Sequence, residues 1–290
     1  MGSHLPSRHA LLALAVVAVW GTNFVVIKLA LAALPPLFLA LLRFTLALLP
    51  AVLFLPRPAV PWRALAAYGV LIGAGQFGLL YLAIDGRIAP GLASLVVQTQ
   101  VFFTITLAMA ADGERMRASQ WPALALATAG IALIAAHTGG DTTLPGLLLV
   151  LLAALAWAAG NQVARRMGRV DMLAMVVWSS AFALPPLLAL SWWFEGPARW
   201  AEGLAAATPG VWAAVAWQAL GNSLFGYAAW GWLLARHPAA TVAPMALLVP
   251  VFGMGASAWW LGEALPAWKL GAAALVIAGL AVNLFGPRRA

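Results

Sequence analysis

Long uncharged apolar runs alternate along the chain with short polar breaks that hold most of the Lys, Arg, Asp and Glu. A helix needs about 20 apolar residues to cross the hydrocarbon core of a bilayer. Runs of that order cover 10–27, 29–56, 64–84, 88–111, 118–140, 142–164, 172–194, 203–235, 238–262 and 270–287. The second holds one charge, Arg43, and Leu34-Pro35-Pro36 begins its helix, because proline suits a first helical turn. Arg236-His237-Pro238 ends one helix and starts the next. Barrel strands are about half this length and alternate polar with apolar residues, whereas these runs are rich in Ala and Leu and do not alternate. The pattern predicts an all-α integral membrane protein with ten transmembrane helices.

Composition agrees. Apolar residues make up 64% of the 290 and charged residues 8%, with a mean hydropathy of +0.95. A soluble domain carries about 25% charged residues, so the solvent expected here is lipid. The net charge of +8 comes from Lys and Arg that are scattered rather than clustered, which argues against nucleic acid as a partner. With no cysteine, disulfides, thiolate metal sites and a Cys nucleophile are all excluded. No small-residue cleavage site follows the first apolar run, so no cleavable signal is expected. Met1-Gly2-Ser3-His4 reads as a cloning remnant, and residues 1–8 as that remnant plus a short tail.

With a cytoplasmic N-terminus, the inside holds Arg8, Arg57, Arg63, Arg115, Arg117, Arg165, Arg166, Arg169, Arg236, Arg288 and Arg289. The outside holds only Lys28, Arg87, Arg199 and Lys269. Positive residues accumulate in cytoplasmic loops. The bias predicts a multi-pass protein of a bacterial inner membrane with both termini in the cytoplasm.

The chain also repeats itself. Gly113-Glu114, Ala123-Leu124-Ala125-Leu126 and Ala129-Gly130-Ile131-Ala132 recur at an offset of 149 as Gly262-Glu263, Ala272-Ala273-Ala274-Leu275 and Ala278-Gly279-Leu280-Ala281. Gly75-Gln76 with Tyr81 and Ala83 matches Gly221-Asn222 with Tyr227 and Ala229 at an offset of 146. Trp20-Gly21-Thr22-Asn23 has its echo in Trp157 with Gly160-Asn161. Two five-helix repeats are expected, at 9–137 and 144–286. Five is odd, so the second repeat enters the membrane from the opposite face. Inverted repeats are a recurring plan of secondary transporters, with the substrate held near mid-bilayer between the halves.

The same residues carry a resemblance. The Trp-Gly-x-Asn at 20–23, Arg43-Phe44, and Pro250-Val251-Phe252 leading to Gly262-Glu263 resemble the EamA-type transporters of the drug/metabolite transporter superfamily. Within it, the chain is most similar to the YddG-type exporters of aromatic and other neutral amino acids. The resemblance covers roughly 9–286, with a departure at Gln100, near where the second half and the family pattern have proline. It implies an exporter working by alternating access.

Polar side chains deep in a span face the bundle interior or a watery cavity. Trp20, Asn23 and Ile27 share one helix face, as do Trp157, Asn161 and Ala164. To these are added the repeat-related Tyr81 and Tyr227, then Gln98, Gln100, Asn222 and Trp178, as candidate substrate-binding residues. Arg43 is a candidate for a substrate carboxylate, with snorkelling or backbone bonding as the alternative. An aromatic and amide inventory suits a neutral or zwitterionic solute, so the partners expected are a neutral amino acid and lipid, with a monomer as the working unit. A drug or other amphipathic metabolite is the second reading, because aromatic pockets tolerate many ligands.

The remaining tryptophans near span ends (Trp62, Trp121, Trp192, Trp193, Trp200, Trp212, Trp259, Trp260 and Trp268) read as an interfacial belt. Gly69 and Gly73 have the spacing of close helix packing, within the bundle or between protomers. Pro185-Pro186 and Pro244 with Pro250 are hinges or static kinks. All eight carboxylates fall at span ends or loops, so no proton relay is expected, and facilitated diffusion or exchange follows. No cofactor, metal set or catalytic constellation is legible, which argues against a membrane enzyme.

Overall fold

A computed structural model describes residues 5–112, 116, 118 and 120–286. Among these, every regular element is helical apart from one isolated bridge between Gly139 and Thr142. The sequence sets the helix ends. Proline occupies the first turn after Pro35, Ala89, Thr143 and Thr208, while the side chains of Thr143, Asp171 and Thr208 accept backbone N–H groups of their own helices. Gly168 and Gly262, at φ +73° and +67°, close two C-termini in a conformation that suits glycine.

The helices are α1 (Ser7–Ala30), α2 (Pro36–Leu48), α3 (Trp62–Ile84), α4 (Pro90–Val96 continued as Gln100–Asp112), α5 (Gln120–Ala136) and α6 (Leu144–Met167). They continue as α7 (Met172–Phe194), α8 (Gly196–Ala206), α9 (209–236), α10 (239–261) and α11 (Ala267–Phe285). Eight stretches among the described residues are long and apolar enough to cross a membrane, and α5, at 17 residues, is a shorter apolar helix. The ninth helix runs unbroken through 209–236.

One expectation is corrected. The run 203–235 is two elements, the end of α8 and all of α9, because Pro209 and the Thr208 cap start a new helix. Two of the tryptophans near span ends, Trp200 and Trp268, also make contacts within the protein. Trp200 stacks on Phe38 at 5.1 Å and donates to Ser191 Oγ at 2.8 Å, and Trp268 stacks on His137 at 4.8 Å. Trp193 and Trp259 are 83% and 79% exposed. Met1–His4, Gly113-Glu114, Arg115, Arg117, Arg288 and Arg289 lie outside the described residues.

Four helices change winding partway. Leu71–Gly78 of α3 and Trp217–Phe225 of α9 are π-helical, at positions that the 146-residue offset brings into register. Val97–Thr99 of α4 and Ala243–Leu248 of α10 are 3₁₀-helical. π segments inside α-helices occur frequently at functional sites. Pro185 and Pro186 sit inside α7, and Pro244 lies in the 3₁₀ stretch of α10.

Helices from the two ends of the chain interleave. The first helix packs on α10 and α9, while α6 packs on α4 and α3. The second packs on α7 and α9, α3 also packs on α7, and α5 pairs with α11. Glycines permit the closest approaches. A Cβ on Gly69 would lie 2.1 Å from the Ser179 carbonyl oxygen, and one on Gly73 would lie 2.2 Å from Ala183 Cβ. The small-residue spacing at 69 and 73 therefore serves packing inside the bundle, between α3 and α7.

Two carboxylates bind helix starts on other elements. Glu195, between α7 and α8, accepts from the N–H groups of Leu37 and Phe38 at 2.7 and 2.9 Å. Glu263, between α10 and α11, accepts from Gly91 N–H at 3.0 Å, from Ser257 Oγ and from Lys269 Nζ at 3.0 Å. A carboxylate at a helix N-terminus complements both unpaired N–H groups and the helix dipole.

Candidate substrate-binding cavity

A cavity of ≈ 310 Å³ lies between α1, α3, α4, α6, α7, α9 and α10. Its lining contains aromatic, amide and aliphatic side chains and no charged one. At one end Phe24, Ile27 and Leu80 are buried, whereas Ala164, Met172 and Trp230 at the other end are half-buried. The lining is thus less buried where α6 ends and α7 begins than beside the end of α1. Its volume suits a ligand of a few to a dozen heavy atoms, at the lower limit for small-molecule pockets.

Helical periodicity delivers the first group of residues. Trp20, Asn23 and Ile27 line the cavity from α1, and Trp157, Asn161 and Ala164 from α6. The Trp20 indole donates to the Asn222 backbone oxygen at 3.1 Å and lies against Tyr227 and Trp230, with ring centroids 5.7 and 5.1 Å away. Gly226 makes room for it, since a Cβ there would sit 2.4 Å from Trp20 Nε1. Opposite, Asn161 Nδ2 donates to Gln100 Oε1 at 2.9 Å, and Thr104 Oγ1 donates to the Gln100 backbone oxygen at 2.7 Å. Gln98 lines the wall and reaches the Ala246 carbonyl at 3.4 Å. The Gln100 side chain is thus bonded to α6.

The π segments bring in a second pair. Gln76 of α3 and Asn222 of α9, matched by the repeat, both line the cavity. Gln76 was not among the expected site residues, although the alignment of Gly75-Gln76 with Gly221-Asn222 carried the signal. Tyr68, Phe77, Met172, Met175 and Trp230 also line the cavity, and nothing in their spacing distinguished them from core residues. Asn23 Oδ1 and Gln76 Oε1 are buried without a hydrogen-bond partner.

Two expected residues lie elsewhere. Trp178 donates to the Leu55 carbonyl at 3.0 Å and packs against Trp62 at 6.1 Å, away from the cavity. Tyr81 is fully buried and does not match the position of Tyr227, which lines the cavity. The reason is Arg43. Its Nη1 donates to Tyr81 Oη at 2.9 Å and its Nη2 to Ser223 Oγ at 3.0 Å, and Tyr81 in turn donates to Gln218 Oε1. No arginine occurs in α7, and Tyr227 lies at the cavity wall.

Arg43 does not snorkel. It is 0% exposed, and its guanidinium stands 3.7 Å from the Phe77 ring centroid. A second, smaller chamber of ≈ 10 Å³ borders it and shares Tyr68, Phe77 and Tyr227 with the large cavity.

Membrane-length apolar helices surround a solute-sized chamber, the arrangement of a polytopic membrane transporter. The chain belongs to the EamA-like transporter family, whose sequence profile matches residues 7–136 and again 144–285. It is 40% identical to a Salmonella typhimurium protein named "probable amino-acid metabolite efflux pump", across 97% of this chain and 96% of that one. An Escherichia coli K12 protein of the same name is 38% identical over the same shares. A "probable terminal-alkyne amino-acid exporter" of Streptantibioticus cattleyicolor is 30% identical, over 74% of this chain and 68% of its own length. One solved crystal structure matches in fold, with a TM-score of 0.65 over 97% of both chains at 21% identity.

Proposed function

We propose that this protein exports aromatic and other neutral amino acids across the bacterial inner membrane by alternating access, moving them down their own gradient or by exchange. The observation that carries this reading is the cavity itself: amide and aromatic walls, no charged lining, and room for one small zwitterion. Aromatic faces favour an apolar side chain and an ammonium group, and amides satisfy both ammonium and carboxylate. Three named relatives among amino-acid efflux proteins point the same way.

The architecture behind the proposal is ten spans in two inverted five-helix repeats, 9–137 and 144–286, with both termini in the cytoplasm. Support comes from the register of the two π segments and from the mirrored packing, in which α1 with α10 answers α6 with α4. In this arrangement the half-buried mouth beside Ala164 and Met172 faces the cytoplasm. One chain encloses the whole cavity, which supports a monomer as the working unit.

The chain has no cysteine, so an Ala164→Cys variant carries one thiol at the mouth. A membrane-impermeant maleimide is expected to label it faster in inside-out than in right-side-out vesicles. L-phenylalanine is expected to slow the labelling, and tetraphenylphosphonium to leave it unchanged. Protection by the cation and not by amino acids would favour a drug-type substrate. Faster labelling from the periplasmic face would reverse the orientation.

A further inference from the structure

Three polar atoms around the cavity are buried without a hydrogen-bond partner: Asn23 Oδ1, Gln76 Oε1 and Arg43 Nε. Their residues are 3%, 4% and 0% exposed. Leaving such groups unpaired is costly, and a buried guanidinium with no anionic partner at membrane depth is costlier still. Among the described residues Arg43 makes no salt bridge. Its hydrogen bonds go to two hydroxyls, and aromatic faces cover the rest of it.

The chemistry of the three atoms is complementary. Two are amide oxygens, which accept, and both residues line the large cavity. The third belongs to a cation that only donates. Gln76 and Phe77 are neighbours in the π segment of α3, and the Arg43 guanidinium lies 3.7 Å from the Phe77 ring centroid. Gln76 and Phe77 both line the large cavity, and Tyr68, Phe77 and Tyr227 border both chambers.

We infer that this wall is a split site for the two charged poles of an α-amino acid: Asn23 and Gln76 receive the ammonium, and the carboxylate is drawn to the part of the wall bordered by Tyr68, Phe77 and Tyr227, behind which Arg43 lies. The inference rests on the amino-acid reading above and deepens it by assigning the poles. It gives Arg43 a role as the specificity-determining residue. A fixed positive charge with no carboxylate partner favours solutes bearing a carboxylate and disfavours amines and organic cations that lack one. The apolar remainder of the cavity, toward Trp157 and Trp230, receives the side chain. Arginine suits this place better than lysine because its charge persists when buried and its flat face stacks on a ring.

The test is calorimetric binding to purified full-length protein in detergent, with L-phenylalanine, L-phenylalaninamide (no carboxylate) and 3-phenylpropionate (no ammonium). Wild type is expected to prefer L-phenylalanine to either analogue by roughly 10- to 100-fold, the range of one charge-assisted hydrogen bond. Arg43→Gln is expected to bring phenylalanine and its amide close to parity, whereas Arg43→Lys retains a preference. Asn23→Leu with Gln76→Leu should close the gap to 3-phenylpropionate instead. Equal binding of phenylalanine and its amide by wild type overturns the inference while the amino-acid reading stands, and that arm needs no folded variant. An unchanged ratio in folded Arg43→Gln overturns it as well. No binding of L-phenylalanine, L-leucine or L-threonine by wild type overturns the amino-acid reading and the inference with it.

Discussion

Glu263→Ala is expected to cost about 3–5 kcal/mol of stability, the range for removing one partner of a buried ion pair. The Glu263 and Lys269 side chains are 4% and 3% exposed. Without Glu263, Lys269 keeps only Asp141 at 2.8 Å, a partner that is itself 51% exposed. The N–H of Gly91 and the hydroxyl of Ser257 lose their acceptor in the same step. Thermal unfolding in detergent should fall by about 5–10 °C, taking roughly 2 °C per kcal/mol for a chain of this size. Glu263→Ala with Lys269→Met should lose less than the single variant, because no unpaired charge is left in the interior. A single variant as stable as wild type, or strictly additive losses in the pair, would mean that the cluster does not hold α4 to α11.

The second large effect is expected at Gly69. A valine there puts Cβ 2.1 Å from a backbone oxygen of α7, where no side-chain rotation relieves the overlap. Overpacking costs about 1–3 kcal/mol where neighbours can shift, and here a helix must move. Gly69→Val should therefore lose at least about 2 kcal/mol and most of its folded yield by size-exclusion chromatography. Gly255 of α10 has nothing within 4 Å of its Cβ position, so Gly255→Ala should be neutral or gain up to about 1 kcal/mol from helix propensity. Equal behaviour of the two variants would contradict the close α3–α7 contact.

Much of this was legible because the bilayer simplifies the code. Length and charge alone mark a span, and proline and threonine mark where it starts. The cavity faces of α1 and α6 followed from spacing, since Trp20, Asn23 and Ile27, and likewise Trp157, Asn161 and Ala164, fall on one side of a regular helix. Where the helix is irregular, spacing stops working. One extra residue in a turn rotates everything after it by about 100°, so the faces of α3 and α9 beyond Leu71 and Trp217 could not be read from period alone. Gln76 was reachable only through its repeat partner Asn222. The seventh helix is apolar all round, so nothing in the sequence told which way Trp178 points. Tyr81 and Tyr227 matched as a pair, yet Arg43 exists in one half only and draws Tyr81 into its own network. A duplication predicts equivalent positions, and it predicts equivalent roles only where the neighbours were duplicated too.

Uptake of labelled L-phenylalanine into sealed vesicles of the purified protein, with no pH gradient, tests the central claim most directly. Saturable flux is expected, cut at least tenfold by Trp157→Ala and by Asn161→Ala (the cost of about one lost hydrogen bond or ring contact) and insensitive to an imposed pH gradient. No flux of any aromatic, aliphatic or hydroxyl amino acid by folded protein in sealed vesicles would contradict it.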